Sequence, residues 1–395
     1  AALRLLGQRG LPVFRSTLEA ALVDPDPRVR LGAAEAMRPP WRADTVERVA
    51  AALRDERHPV VSQALVQLLF AMLQQPPDEL DDAARRALVA SALQQFGRCG
   101  WRTDMDLLDL VEAFPHKAAI PVLIRALDLE LYAPDALVSA VNERASPLLR
   151  ERAGTLLRAM TGALVPIDDP AAWRAFWARE QDRIVVPERL PKPNPDATRV
   201  TFFGVPVTGT SIAFLIDTSG SMEDPAADQG PTTGPRRRRA PTSRLEAAKE
   251  QLALATQAMA EDSQYYLMTF ADSAHTWTRQ PIRPHQRTSR SLTELLSRLQ
   301  AHGGTNLYAG LVAALEVEGR AYGDEELPRI DELFVLSDGE PTAGEVRDDE
   351  TILELVRHAN RYAKVRIHAV FTGNGKGADL LRRLAEQNGG VFVQR

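Results

Sequence analysis

The chain changes its hydrophobic period once. From residue 1 to about residue 164, apolar positions recur at helical spacing with few β-branched runs, which predicts a succession of amphipathic helices. Two stretches about 31 residues apart align on each other: Ala21-Leu22-Val23-Asp24-Pro25-Asp26-Pro27-Arg28-Val29 and Ala52-Leu53-Arg54-Asp55-Glu56-Arg57-His58-Pro59-Val60. In each, a helix ends on Ala-Leu, an Asp-containing turn follows, and a second helix begins. Pro27 and Pro59 fall in its first turn, where a missing N–H costs little. Asp24 and Asp55 are placed to cap its free N–H groups. The stretch 121–127, closing on Ala126-Leu127-Asp128, reads as a more degenerate copy. Residues 1–6 read as the end of a helix, so the sequence is expected to begin inside such a repeat.

A boundary zone covers residues 165–199. Trp173, Phe176 and Trp177 stand at i, i+3 and i+4, on one face of a short helix. They are expected to plug the helical stack or seal it against the next domain, with a partner-binding surface as the alternative. The run Leu190-Pro191-Lys192-Pro193-Asn194-Pro195-Asp196 favours an extended, stiff connector. After Val200 the pattern becomes short apolar runs at 211–216, 265–270, 332–336, 365–371 and 391–393, separated by helix candidates. Such alternation predicts an α/β doubly wound domain over 200–395, its mostly parallel sheet covered on both faces. Ser243-Arg244-Leu245-Glu246 and Ser291-Leu292-Thr293-Glu294 read as capping boxes that open helices. Further helices are expected over 306–316, 350–361 and 378–387.

Composition narrows the functional classes. The 395 residues are 44% hydrophobic and 26% charged, the balance of a globular chain, and suggest two or three domains. No window approaches the roughly 18 apolar residues of a membrane-spanning helix. The single cysteine, Cys99, excludes an internal disulfide and any multi-cysteine metal site, and leaves the compartment undecided. A net charge of -5 argues against general nucleic-acid affinity. The sequence opens at Ala1 without Met or a signal-peptide pattern, so a processed or cut piece is expected.

The first half, 1–164, resembles the HEAT-repeat family of α-solenoids, most clearly over residues 10–75, with a plain helical bundle as the alternative. In the second half the turn chemistry collects at the expected carboxyl ends of strands, where ligands bind in open α/β sheets. One run leads into Asp217-Thr218-Ser219-Gly220-Ser221-Met222, another into Ser337-Asp338-Gly339-Glu340-Pro341, and Gly303-Gly304-Thr305-Asn306 opens a helix between them. Together these residues resemble the von Willebrand factor A domain and its metal-ion-dependent adhesion site. That family carries D-x-S-x-S after its first strand, a Thr in a Gly-flanked loop and an Asp after its fourth strand. The resemblance implies Asp217, Ser219, Ser221, Thr305 and Asp338 as metal ligands.

Mg²⁺ wants six oxygens at about 2.0–2.1 Å and usually takes only one or two carboxylates; Mn²⁺ and Ca²⁺ are alternatives. The resemblance implies direct serine ligands, aspartates acting largely through water, and an open position for a partner's Asp or Glu. The function expected is a non-enzymatic, metal-dependent adhesion or scaffold protein with the helical half as a second surface. The alternative is a subunit docking on a separate AAA+ ATPase.

Three other motifs compete. Asp217-Thr218-Ser219-Gly220 imitates the aspartic-protease Asp-Thr-Gly, but Ser219 interrupts it and the surroundings are not all-β. Gly373-Asn374-Gly375-Lys376-Gly377-Ala378 imitates a dinucleotide fingerprint, yet the chain ends before the acidic residue such a site needs. A flexible loop near the metal face is expected there, with Lys376 modulating ligand choice. His302 beside Thr305 is read as solvated or structural. Finally, Arg236-Arg237-Arg238-Arg239 lies in an insertion at 223–240 whose composition predicts a solvated loop, able to steer an acidic ligand.

Overall fold

A computed structural model of the chain describes residues 14–128, 146–191, 200–226, 242–261, 263–278, 280–284, 286–324, 327–373 and 375–395. The expectations for residues 1–6, for the run 192–196, for Asn374 and for Arg236 to Arg239 lie outside the described residues. The chain divides into two compact units, Ala1–Pro195 with Ala321–Glu326, and Asp196–Arg320 with Leu327–Arg395.

The first unit is helical. Its described helices are α1 (Arg15–Ala21), α2 (Pro27–Ala36), α3 (Ala43–Asp55), α4 (Pro59–Gln74), α5 (Asp82–Ala92), α6 (Trp101–Ala113), α7 (Ile120–Ala126), α8 (Pro147–Thr161) and α9 (Pro170–Glu180). Alternate helices stack: α2 packs on α4, α4 on α6 and α6 on α8, while α1 and α5 flank α3. α4 is the most buried of them, with Val61, Leu65, Leu69, Met72 and Leu73 fully enclosed, as a helix apolar on several faces must be.

Pro27 and Pro59 open their helices as expected, but the caps fall elsewhere. Pro25 and Asp26 lengthen the first turn, so Asp26, directly before the helix, accepts the N–H of Arg28 at 2.8 Å, and Asp24 accepts that of Asp26. α3 runs through Asp55, and in the second turn Glu56 accepts the N–H groups of Arg57 and His58, which precede α4, so it braces the turn rather than capping the helix. Glu56 is buried and takes a two-pronged ion pair from Arg30, at 2.7 and 2.9 Å, which ties the first turn to the second. Trp173 is fully buried in α9, its indole N–H donating to the Pro166 carbonyl and its ring edge-on to Phe176.

The second unit is built on a six-stranded sheet in the order β5-β4-β3-β6-β7-β8, preceded by a short antiparallel hairpin. The hairpin is β1 (Thr201–Phe202) and β2 (Val205–Pro206). The sheet comprises β3 (Ser211–Asp217), β4 (Gln264–Phe270), β5 (Ala274–Thr276), β6 (Glu332–Ser337), β7 (Arg366–Phe371) and β8 (Phe392–Gln394). All neighbours are parallel except β5, which runs antiparallel at one edge. The helices are α10 (Arg244–Ala258), α11 (Gln286–Arg298), α12 (Leu307–Ala314), α13 (Asp349–Asn360) and α14 (Ala378–Gln387).

Side chains on β3 alternate between two cores. Ile212, Phe214 and Ile216 join the hairpin, α10 and α11, whereas Ala213 and Leu215 join α12, α13 and α14. Burial on both faces is why the strands read as unbroken apolar runs. The sequence pattern missed β5 and the hairpin, which are two or three residues long. Ser243 does cap α10, accepting the Glu246 N–H at 3.2 Å. Ser291 opens no helix, because α11 already runs from Gln286.

Candidate functional site

The chain leaves β3 toward β4 on one side of the sheet and then crosses to β6 on the other, so the crevice between β3 and β6 is the topological switch point. Asp217 ends β3, and Ser337 followed by Asp338 ends β6. Parallel pairing of Ile216 with Leu336 brings the two ends side by side. Ser337 then donates its hydroxyl to Asp217 Oδ2 at 2.5 Å, and the Ser219 N–H donates to Asp217 Oδ1 at 2.8 Å. The second of these bonds curls the loop back over the strand end. Ser219 Oγ and Ser221 Oγ are 3.3 Å apart, and Ser221 Oγ donates to Asp338 Oδ1 at 2.8 Å. A continuous chain of polar contacts thus joins four of the five expected residues.

Thr305 enters through its backbone. The Gly220 N–H donates to the Gly303 carbonyl and the His302 N–H to the Thr218 carbonyl, which zips the two loops together. Thr305 donates its N–H to Thr342 Oγ1 and accepts N–H groups from Thr342 and Ala343, so the loop after β6 grips it from the other side. Asp272 braces the same turn by accepting the Gly304 N–H at 2.8 Å. Gly303 holds φ +72°, and a Cβ there would collide with the Asp272 carboxylate, so glycine is required twice over. Asn306 caps α12 through the Ala309 N–H and donates to the Asp272 carbonyl.

Burial grades from floor to mouth. Asp217 is 0% exposed and Ser219 2%, Thr305 and Asp338 are buried at the walls, and Ser221 is exposed. Burial pushes the Asp217 carboxyl up to about 6, against the downward pull of hydrogen bonds from Ser219 and Ser337. Among the described residues, the donors to Asp217 are neutral. Asp338 has a cation instead: Arg244 Nη1 lies 2.6 Å from its Oδ2. Arg244, Ser337, Thr342 and Asp272 were not singled out from the sequence for this site. Arg244 stands 94 positions from Asp338, and no motif marks the pairing.

The donor set is two carboxylates and three hydroxyls, all hard oxygen. Among the described residues no group of three or more His, Cys, Asp or Glu side chains is placed to hold a metal. With only two carboxylates among its oxygens, the crevice suits an ion content with few charged ligands, and the buried carboxylate of Asp217 suits a cation.

The competing motifs take other roles. Gly373 and Gly377 have no room for a Cβ because the Asp338 and Gly339 carbonyls press against them, so these glycines serve loop packing at the crevice wall. Lys376 is exposed in that loop. His302 is exposed, its Nδ1 3.1 Å from the Gln300 carbonyl.

Residues 237–393 match the family model described as von Willebrand factor type A domain, a span that takes in Thr305 and Asp338 but not Asp217, Ser219 or Ser221. Over 190 residues the sequence is 25% identical to inter alpha-trypsin inhibitor heavy chain 4 of Mus musculus, covering 47% of this chain and 18% of that protein. Over 194 residues it is 26% identical to inter-alpha-trypsin inhibitor heavy chain H3 of Homo sapiens, covering 49% and 19%. The chain spans about a fifth of the length of these curated relatives. Among solved structures it is similar to a von Willebrand factor type A protein from Catenulispora acidiphila, with 20% identity, TM-score 0.34, and coverage of 47% of this chain and 38% of that one. It is also similar to proximal thread matrix protein 1 from the mussel byssus with a zinc-occupied MIDAS motif, with 21% identity, TM-score 0.30, and coverage of 47% and 41%.

Proposed function

We propose that the von Willebrand factor type A domain in the C-terminal unit binds a protein partner by completing the shell of a divalent cation with one of the partner's acidic side chains. The residues that would hold the ion are Asp217, Ser219, Ser221, Thr305 and Asp338. One observation carries the reading: a fully buried carboxylate, Asp217, meets only neutral donors among the described residues, at the floor of a crevice whose other candidate ligands are three hydroxyls and the Asp338 carboxylate. A bound Mg²⁺ or Mn²⁺ would supply an electrophilic centre open to one more oxygen ligand.

The chain's own residues supply the geometry. Ser337 and the Ser219 N–H hold the Asp217 carboxylate in place, and the backbone bonds from Gly220 to Gly303 and from Thr305 to Thr342 set the spacing of the walls. Ser221, exposed at the mouth, stands where a partner's side chain would enter. The role is binding rather than catalysis. The stacked α2, α4, α6 and α8 layer is in keeping with a HEAT-like array that offers a second protein-binding surface.

The test is calorimetric titration of Mg²⁺ and Mn²⁺ into the wild-type chain and Asp217→Ala. Metal uptake by the wild type and its loss in the variant, with circular dichroism unchanged, is the expected result; equal affinity in both sinks the metal assignment. Affinity capture with and without EDTA then addresses the partner. Retention of an AAA+ ATPase only in the absence of EDTA would redirect the reading toward an energy-driven machine.

A further inference from the structure

The crevice contains a cation of its own. Arg244 opens α10, just after the insertion whose two ends are closed by a bridge between Pro225 and Ser243. Its N–H donates to the Asp224 carbonyl and the Ser243 hydroxyl caps the same turn, so the base of the side chain is held from two directions. The side chain is 14% exposed. Its Nη1 reaches Asp338 Oδ2 at 2.6 Å and the Ser221 carbonyl at 3.3 Å, with the exposed Asp224 carboxylate at 3.6 Å. The buried Nε has no hydrogen-bond partner among the described residues. Both Asp338 oxygens are therefore engaged, Oδ1 by Ser221 and Oδ2 by Arg244, whereas Asp217 meets neutral groups alone.

We infer that Arg244 is a positioning residue that acts through Asp338 to trade metal affinity for anion affinity. The inference rests on the metal-centre reading above. A guanidinium held against Asp338 repels an incoming divalent ion and attracts the carboxylate that would follow it, and the nearby Asp224, being exposed, is largely screened by water. Without the guanidinium, the loaded crevice is one unit less positive and gains less from an anion. Arg244 thus opposes binding of the cation and favours binding of the acidic ligand that follows it. A mere structural brace would support both steps in the same direction.

The experiment compares the full chain with Arg244→Gln, with Arg244→Met as a second neutral variant that keeps the apolar stem, and with Arg244→Lys, which keeps the charge. Mn²⁺ affinity is read by calorimetry. Binding of a fluorescein-labelled octapeptide of alternating Glu and Gly is read by anisotropy at saturating Mn²⁺. Removing a unit charge beside a carboxylate in a partly buried site is expected to change each affinity at least about tenfold. The neutral variants should bind Mn²⁺ more tightly and the peptide more weakly, while Arg244→Lys stays near the wild type. Neutral variants that weaken both steps, or change neither, overturn the inference and leave the metal centre standing. Mn²⁺ uptake with no peptide binding in any chain overturns the anion half together with the acidic-partner reading. No Mn²⁺ uptake by the wild type overturns the centre itself.

Discussion

Glu332 offers a sharp test of how β6, the strand that carries Ser337 and Asp338, is held. Its side chain is fully buried at the opposite end of the strand. Oε2 accepts the Thr208 and Gly209 N–H groups, each at 2.9 Å, and Oε1 lies 3.0 Å from His368 Nε2. The other imidazole nitrogen, Nδ1, accepts the Val391 N–H at 3.0 Å. A backbone N–H can only donate, so Nδ1 carries no proton. The proton of the neutral ring is on Nε2, which donates to Glu332. All three partners of the carboxylate are therefore donors. Desolvation pushes the Glu332 carboxyl up, but the hydrogen bond from His368, with help from Arg366 and the Gly209 N–H, brings it below its ordinary value, so the fold favours the ionised form.

Glu332→Gln keeps the shape and replaces one acceptor with an NH₂ group. Whichever way the amide turns, NH₂ then faces either the two backbone donors or the His368 N–H. Moving the ring proton to Nδ1 only transfers the conflict to Val391. One orphaned buried donor costs about 1–3 kcal/mol, and the lost charge-assisted bonds add to it, for an expected total of about 2–4 kcal/mol. Hydrogen exchange of the β6 and β7 amides reads this unit directly, whereas four of the five tryptophans lie in the other one. In Glu332→Gln with His368→Phe the opposing N–H is gone, so the double variant should be less destabilised than the sum of the singles. A Glu332→Gln variant within about 0.5 kcal/mol of the wild type, smaller than any of these terms, would refute the proton assignment.

Two further outcomes follow from the same unit. Burial, reinforced by the Glu332 charge, pushes the neighbouring Asp331 carboxyl up to about 6, from 3.8 in the unfolded chain. A raised folded pKa adds stability that is fully present below about pH 4 and lost as pH rises through about 6, a swing of roughly 3 kcal/mol. Denaturation of wild type and Asp331→Asn between pH 4 and 7 should show the wild type gaining on the variant as pH falls, and parallel curves would remove Asp331 from the account. Gly303→Ala must place a Cβ against Asp272 at a φ of +72°. It is expected to cost about 1 kcal/mol in stability and to weaken Mn²⁺ binding several-fold by shifting Thr305. Unchanged calorimetric affinity would show that the Gly303-to-Thr305 turn does not set the crevice.

Much of the second unit was legible because its signals are local. β3, β4, β6 and β7 are apolar on both faces and so read as continuous hydrophobic runs, and Ser243 and Asn306 cap helices through N–H groups three residues away. The strand-end placement of Asp217 and Asp338 followed from the same runs. Short elements such as β5 were lost because three residues show no period. Asp24 and Asp55 failed as caps for a similar reason: a helix end is uncertain by a residue or two, so Asp26 caps α2 in place of Asp24, and Asp55 falls inside α3.

What the sequence determined by itself is therefore the change of period, the order of strands and helices along the chain, and the oxygen-rich chemistry gathered at two strand ends. Only the tertiary structure decided which charges meet. Arg244 pairs with Asp338, Ser337 with Asp217, His368 with Glu332 and Arg30 with Glu56. These partners stand between 26 and 120 positions apart in the chain. Hydrophobic period is a property of neighbouring residues and survives in one dimension. The balance of charge in a buried crevice depends on distances of a few ångströms between distant residues, which exist only once the sheet has brought β3 and β6 side by side.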